Sequence, residues 1–338
     1  MTLPSVITTI LPTYKRPEQF KKAIASVLAQ TYPHFQLCVY DNASDDETRE
    51  IVSRFSDPRV HYHCHSENIG SEANFQYGIS QVRTPYFSIL ADDDQLLPEF
   101  YETALQGFEK YPDAAFSVTR VDEIDVEGNL VCSPLLNWPD SEYFSSPDGL
   151  LTMIGSYSNW TGIVFKTEVA QAIGAIDPSL KAVDVDYVFR IAARYPFAVS
   201  KKLGALFFQH PGSYSTANGL KLLVPGWQIM IDKLKKEEAL SKEAKNQIEQ
   251  RLIKDLHFQL FSLTIRLIEK NGLEAAAQAA EALSRQPGKQ REGKAMSSLV
   301  RACTFFPFLQ RLIAWMMKVR RKRRRNRLRY LTGKGEAN

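Results

Sequence analysis

Asp92, Asp93 and Asp94 stand side by side directly after the apolar run Tyr86–Ala91 and before Gln95-Leu96-Leu97-Pro98. An apolar run of this length, bounded by turn-forming residues, reads as a buried strand. Its end then delivers adjacent carboxylates to the edge of a sheet. Like charges crowded together repel, and a cation relieves the repulsion. Hard oxygen ligands of this kind suit Mg2+ or Mn2+, which take one or two carboxylates together with substrate phosphates. A solvated acidic turn is the plain alternative, and the elements around the triplet decide against it.

Those elements alternate. Val6–Leu11 is a β-branched apolar run, and Pro17 opens a helix in which Phe20, Ile24, Val27 and Leu28 recur at helical spacing. Phe35–Tyr40 is a second strand ending at Asp41-Asn42-Ala43-Ser44. Asp45 and Asp46 start the next helix, where acidic residues complement its dipole, and Ile51, Val52 and Phe55 mark its apolar face. Arg59–His63 is a third strand, Ser71–Gln81 a third helix and Tyr86–Ala91 the fourth strand. Such alternation implies βαβ units and a largely parallel sheet, whose ligands bind beyond the carboxyl ends of the strands. Pro12-Thr13-Tyr14, Asp41-Asn42 and Asp92–Asp94 all fall at those ends. A helix over Val183–Tyr195 follows. Beyond Gly219 the chain is helical and charged, with Leu252, Leu256, Leu260, Leu263 and Leu267 as a packing stripe.

The 338 residues, 44% hydrophobic and 24% charged, suffice for a large globular domain with an appendage. Cys38, Cys64, Cys132 and Cys303 are scattered without a Cys-x-x-Cys pair, which fits a reducing cytoplasm. Met1 leads almost directly into the first strand with no basic region or cleavage site, so no secretory signal is expected. His61, His63 and His65 share one strand face, but no carboxylates join them and they read as structural.

Four segments together resemble the family 2 glycosyltransferases, which use the nucleotide-sugar-binding α/β fold known as GT-A. They are Thr8-Thr9-Ile10-Leu11-Pro12-Thr13-Tyr14-Lys15-Arg16-Pro17, then Gln30–Pro33 with Val39–Asp46, then Glu67-Asn68-Ile69-Gly70 with Asn74, and Asp92–Asp94 with Pro98. More loosely, Asn159–Lys166 is similar to the acceptor-side loop and strand, Asp184–Arg190 to the helix carrying the catalytic base, and Phe207–Ser213 to a segment with a conserved-type His-x-Gly-Ser. Val183, Val188, Phe208 and Ala91 depart from the family pattern, the last leaving open which of Asp92 and Asp93 faces ribose and which the metal.

The resemblance implies a GT-A-type, mostly parallel Rossmann-like sheet flanked by helices, over residues 1–215, with a helical extension at 216–300. It implies an inverting transferase that moves a sugar from a nucleoside diphosphate sugar, UDP-linked by expectation, to a saccharide or lipid-linked saccharide in surface-polysaccharide biosynthesis. Thr13, Tyr14, Arg16, Asp41, Asp92 and Asp93 would bind the donor, Asp94 and His210 a Mn2+ or Mg2+ ion, and Trp160 and Asp186 the acceptor. Asp184 would take the proton from the acceptor hydroxyl. A sugar-nucleotide pyrophosphorylase would instead show a Gly-rich turn with Arg and Lys after the first strand, where this chain has Pro12-Thr13-Tyr14. A non-catalytic nucleotide-sugar-binding or nucleic-acid-associated protein on the same fold is the alternative, opposed by the presence of both Asp94 and Asp184.

The net charge of +4 is uneven: eight basic residues lie between Arg320 and Arg329, leaving −4 for the rest. Ahead of them, Phe305, Phe308, Leu309, Leu312 and Met316 fall on one helical face, with Arg311, Lys318 and Arg321 opposite. The uncharged stretches are too short to span a bilayer. Residues 301–338 therefore read as an interfacial helix with a polybasic cluster, placing the protein in the cytoplasm on the inner face of a membrane. A nucleic-acid arm or a helix docked on the enzyme itself are the other readings.

Overall fold

The computed structural model describes residues 5–157, 159–180, 182–209 and 219–331. The chain divides into two compact units, one built of 1–128, 132–209 and 238–240, the other of 129–131, 210–237 and 241–338.

The first unit is an α/β sheet unit. The strands, all in this unit except Leu130 and Val131 of β7, are β1 (Ile7–Thr13), β2 (Phe35–Asp41), β3 (Val60–Cys64), β4 (Tyr86–Ile89), β5 (Gln95–Leu96), β6 (Phe116–Ile124), β7 (Leu130–Cys132), β8 (Tyr143–Phe144), β9 (Ile163–Lys166) and β10 (Phe197–Phe208). The main path runs β3-β2-β1-β4-β9-β6-β10-β5. The first four are mutually parallel, as the βαβ pattern requires. β9 enters antiparallel between β4 and β6, and β6 and β10 are again parallel. The sheet is therefore mixed beyond β4, because a strand inserted there arrives from the opposite end.

Every residue of β1 is buried, as expected of a strand covered on both faces, whereas edge strand β3 has none buried. α1 (Pro17–Leu28) buries Phe20, Ala23, Ile24 and Val27, one stripe at helical spacing. That stripe packs with Ile7, Leu11, Leu37, Phe100 and Ala104 into the main core. α2 (Thr48–Arg54) and α4 (Phe100–Lys110) border the same core. α3 (Ser71–Gln81) lies close over β1 and β2, since a Cβ on Gly78 would sit 2.5 Å from Ile10 Cγ2. Further along come α5 (Asp148–Met153), 3-10 turns at Pro134–Asn137 and Trp160–Gly162, α6 (Thr167–Ala172) and α7 (Val183–Ala192).

The second unit is helical: α8 (Gly219–Lys235), α9 (Lys242–Glu269), α10 (Leu273–Ser284), α11 (Gln290–Phe305) and α12 (Pro307–Leu331). α9 buries Ile248, Leu252, Leu256, Leu260, Thr264 and Ile268, a residue every fourth position. The expected Leu263 and Leu267 lie at the margin of that stripe. Ile268, Ala276, Val300 and Cys303 form a core against which Leu309 and Ile313 of α12 pack. Gln310 Nε2 donates to Ile268 O at 3.0 Å, and Arg321 forks onto the Glu269 carboxylate. α12 is thus docked on its own unit by one face. The expected grouping of Leu309 with Phe308 and Leu312 is corrected accordingly: Leu309 turns inward with Ile313, while Phe308, Leu312, Trp315 and Met316 stay exposed. No helix among the described residues is long and apolar enough to cross a membrane.

Candidate active site

The carboxyl ends of β1, β2 and β4 meet as the alternation predicts. Asp92 Oδ2 accepts from Thr13 Oγ1 at 2.9 Å and from the Tyr14 N–H at 3.4 Å. Arg16 Nη1 reaches Asp92 Oδ1 at 3.1 Å and Asp93 Oδ2 at 2.8 Å, so one guanidinium bridges both carboxylates. Five expected donor-site residues, Thr13, Tyr14, Arg16, Asp92 and Asp93, are thereby gathered from two loops nearly eighty positions apart. Burial pushes the Asp92 carboxyl up to about 6; the Arg16 charge opposes the rise and the Asp93 charge adds to it. The ring of Tyr14 is exposed at the mouth of the site, with Lys15 Nζ 5.3 Å from its centre.

The turns holding these residues carry left-handed backbone at non-glycine positions, Lys15 (φ 54°) and Ala43 (φ 61°). Such conformations cost about 1–3 kcal/mol each and persist where surrounding bonds impose them. Here the Lys15 N–H donates to Ser44 Oγ at 2.9 Å, and the Asn42 N–H to Thr13 O at 3.0 Å. Asp41 is buried. Its Oδ1 accepts the Ser44 N–H at 2.9 Å and its Oδ2 the Tyr62 hydroxyl at 2.6 Å, so it shapes the turn on which a base would lie. Asn42 Nδ2 donates to Asn68 Oδ1 at 2.9 Å, and Asn42 Oδ1 accepts the Ile69 N–H at 2.8 Å. Gly70, with φ 88°, turns the chain into α3.

Asp94 differs from its two neighbours. It is 1% exposed, against 8% and 11% for the side chains of Asp92 and Asp93. Each of its oxygens is engaged: Oδ2 accepts from Thr161 Oγ1 at 2.6 Å and Oδ1 from the Phe208 N–H at 3.1 Å. Burial, then the Asp93 charge, holds its carboxyl well above the ordinary carboxylate range. Both oxygens of Asp94, the residue expected to hold the metal, are thus tied to protein donors, and its carboxylate is closed to water. His210 lies outside the described residues. Among the described residues no three His, Cys, Asp or Glu side chains are spaced to cage a metal. Asp92 and Asp93, bridged by Arg16, are a carboxylate pair of the kind that holds Mg2+ or Mn2+ jointly with substrate phosphates.

On the acceptor side, Asp184 occupies the first turn of α7; burial raises its carboxyl above the usual range, and the neighbouring backbone N–H groups of Val185 and of its own residue oppose the rise. The two expected acceptor contacts are not brought to the surface. Trp160 is buried, its ring 4.7 Å from that of Phe75. Asp186 is buried and pairs with Arg190 Nε at 3.0 Å, while Arg190 donates to the carbonyls of Ile173 and Ala175. Both belong to the scaffold, since α7 packs its aromatic side on the sheet and needs that clamp to fix the preceding loop. Thr161 and Tyr62 are positioning groups that carry no sequence signal of their own.

A mixed α/β sheet with its acidic strand ends gathered under one arginine defines a GT-A nucleotide-sugar transferase fold. Residues 8–135 match Glycosyl transferase family 2. It is 26% identical over 297 residues to an uncharacterized glycosyltransferase of Rickettsia prowazekii, covering 83% of this chain and 85% of the relative. It is 28% identical over 116 residues to the putative teichuronic acid biosynthesis glycosyltransferase TuaG of Bacillus subtilis, covering 34% of this chain and 46% of that protein. In fold it resembles S. aureus TarS 1–349 in complex with UDP-GlcNAc, at a TM-score of 0.67 and 16% identity over 92% of this chain and 91% of the other.

Proposed function

We propose that the protein transfers a sugar, with inversion, from a UDP-sugar to a saccharide or lipid-linked saccharide in the assembly of a surface polysaccharide. The observation that carries this reading is the bridge from Arg16 to Asp92 and Asp93 over Thr13. It sets two carboxylates and one cation where a nucleoside diphosphate meets the strand ends. The exposed ring of Tyr14 offers a stacking face to the base, and the Asp41–Ser44 turn its polar edge. Asp92 takes the ribose side and Asp93, the most open of the three, takes the metal in place of Asp94. A bound Mn2+ or Mg2+ would supply Lewis-acid stabilisation of the departing diphosphate. Arg16 is then left to follow the phosphate charge.

Asp184 receives the acceptor proton. A carboxylate whose proton affinity is raised by burial is a stronger base than an exposed one, and its place in the first turn of α7 keeps it oriented. Attack from the face opposite the leaving group needs only this one carboxylate. The transfer takes place at an anionic membrane surface: at 3.6 residues per turn, Phe308, Leu312, Trp315, Met316 and Val319 occupy a stripe about 100° wide on α12, bordered by Arg311, Lys318 and Lys322.

The test is release of UDP from UDP-sugars in the presence of Mn2+, Mg2+ or excess chelator. Metal-stimulated release that Asp93→Asn abolishes supports the reading. Failure of UDP and of every UDP-sugar to bind, with or without metal, refutes it.

A further inference from the structure

Of the eleven large apolar side chains exposed among the described residues, eight belong to the helical unit. Six of these run from Phe305 to Met316, at the end of α11 and along α12. The other two, Phe258 at 61% and Phe261 at 43% exposure, stand in the middle of α9. Apolar surface gathered on one unit in this way marks a contact face, where the same groups scattered singly would not.

Helical geometry relates the two groups. At about 100° per residue, with the buried Leu256 taken as zero, Phe261 lies at about 140°, Ile265 at about 180° and Phe258 at about 200°. Lys254, at about 160°, and Arg251, at about 220°, share that sector. Ile268 and Glu269, at about 120° and 220°, bracket it. These two are where α12 docks: Leu309 and Ile313 pack on the core that contains Ile268, and Arg321 forks onto Glu269. α12 therefore lies on the face of α9 that carries the two phenylalanines, about 10–16 Å further along at 1.5 Å per residue. The charges of this face are one-sided. Arg251 and Lys254 are exposed, whereas Glu269, its acid over the stretch from 251 to 269, is taken by Arg321.

We propose that Phe258 and Phe261, with Arg251 and Lys254 beside them, make a second contact with an anionic bilayer, so that the helical unit rests on lipid by α9 as well as by α12. This rests on the membrane reading above. An interfacial helix sinks about 5–10 Å into the headgroup region, and packed helices lie about 8–10 Å apart. Headgroups that admit the outer stripe of α12 thus come level with rings standing up from the same face of α9. Aromatic rings flanked by cations suit that depth: the ring enters the acyl boundary while the charge stays among lipid phosphates. One amphipathic helix leaves the unit free to roll about the helix axis, and a second contact fixes that roll.

The experiment is partition of the full-length protein onto phosphatidylcholine vesicles with and without phosphatidylglycerol, followed by sedimentation at low salt. Phe258→Ser with Phe261→Ser should weaken partition onto the anionic vesicles about tenfold or more, because both rings lose their transfer out of water. Tm should hold, since both side chains are exposed in the fold. Phe258→Trp, an aromatic suited to the interface, should keep the wild-type partition. Lys254→Glu should cost about tenfold on anionic vesicles and nothing on neutral ones. Wild-type partition in the serine pair or in Lys254→Glu would overturn the proposal. So would a dimer in lipid-free solution that the serine pair dissociates, which would assign the face to a second copy of the chain. Failure of the wild type to bind anionic vesicles would instead refute the membrane reading itself.

Discussion

Replacing Asp94 separates a structural role from a metal-binding one. Asp94→Ala strips the acceptor from the Thr161 hydroxyl and from the Phe208 N–H, both enclosed. Each buried donor left unsatisfied costs about 1–3 kcal/mol, so the loss is about 2–6 kcal/mol before relaxation. Removing a carboxylate that burial already disfavours returns part of that, leaving about 2–4 kcal/mol. For a unit of about two hundred residues each kcal/mol lowers Tm by about 2–4 °C, giving a fall of about 4–16 °C. Asp94→Asn behaves differently. Its carbonyl oxygen can keep the Phe208 N–H, and its amide can donate to a Thr161 hydroxyl that reverses its own role. The expected cost is about 1 kcal/mol or less, with the affinity for Mn2+ in the presence of UDP within threefold of wild type. Differential scanning fluorimetry and metal titration monitored by calorimetry make the two measurements. If Asp94→Asn keeps its Tm but loses Mn2+ affinity by more than tenfold, Asp94 is a ligand and the structural assignment is wrong.

Asp93→Asn should preserve Tm within a few degrees and reduce turnover by about 10² or more, because it removes the metal contact and not a buried tie; unchanged turnover would return the metal to another group. Burial raises the Asp184 carboxyl, and the base works only when ionised, so activity should fall as pH drops through a value above the ordinary aspartate range. Asp184→Asn should abolish that acidic limb together with most of the transfer, while UDP binding persists; a kcat profile flat down to pH 4 in the wild type would count against Asp184. For α12, Trp315→Glu with Leu312→Glu should release the protein from anionic vesicles in a flotation assay at low salt, since the pair charges the exposed apolar stripe; Tm should hold because neither side chain is buried. Retention on the vesicles would exclude that face as the lipid contact.

The donor half of the site was legible because its signals are local. Pro17 after Arg16, the Asp-Asn-Ala-Ser turn and the acidic triplet each sit where a strand pattern ends, and parallel pairing brings such ends together without further information. What the sequence did not reveal is set by contacts across long separations. Asp92, Asp93 and Asp94 look equivalent in the chain. Only the arrival of Thr161 and Phe208 distinguishes the third, and neither position carries a pattern that announces it. Trp160 and Asp186 were expected at the acceptor because the segments around them resemble the family's acceptor-side loop and helix. Their burial follows from packing of Phe75 and from the Arg190 clamp, which periodicity does not encode. The tail was misgrouped for a related reason: α12 is apolar on two faces, and a helical wheel cannot say which one the neighbouring helices claim.

The tie at Asp94 joins positions 94, 161 and 208, and this orders the birth of the active site during synthesis. Chains emerge at about 5–20 residues per second, amino terminus first. The 114 residues between Asp94 and Phe208 therefore take about 6–23 seconds to appear. Over that interval β1, β2, β3 and β4 can pair and gather the donor residues, while Asp94 has neither of its partners. Burying it then would strand a charge, so the loop that carries Asp93 stays open to water until β10 lies down beside β6. A nascent chain can thus bring together the strand ends of the proposed donor site long before Asp94 gains either of its partners.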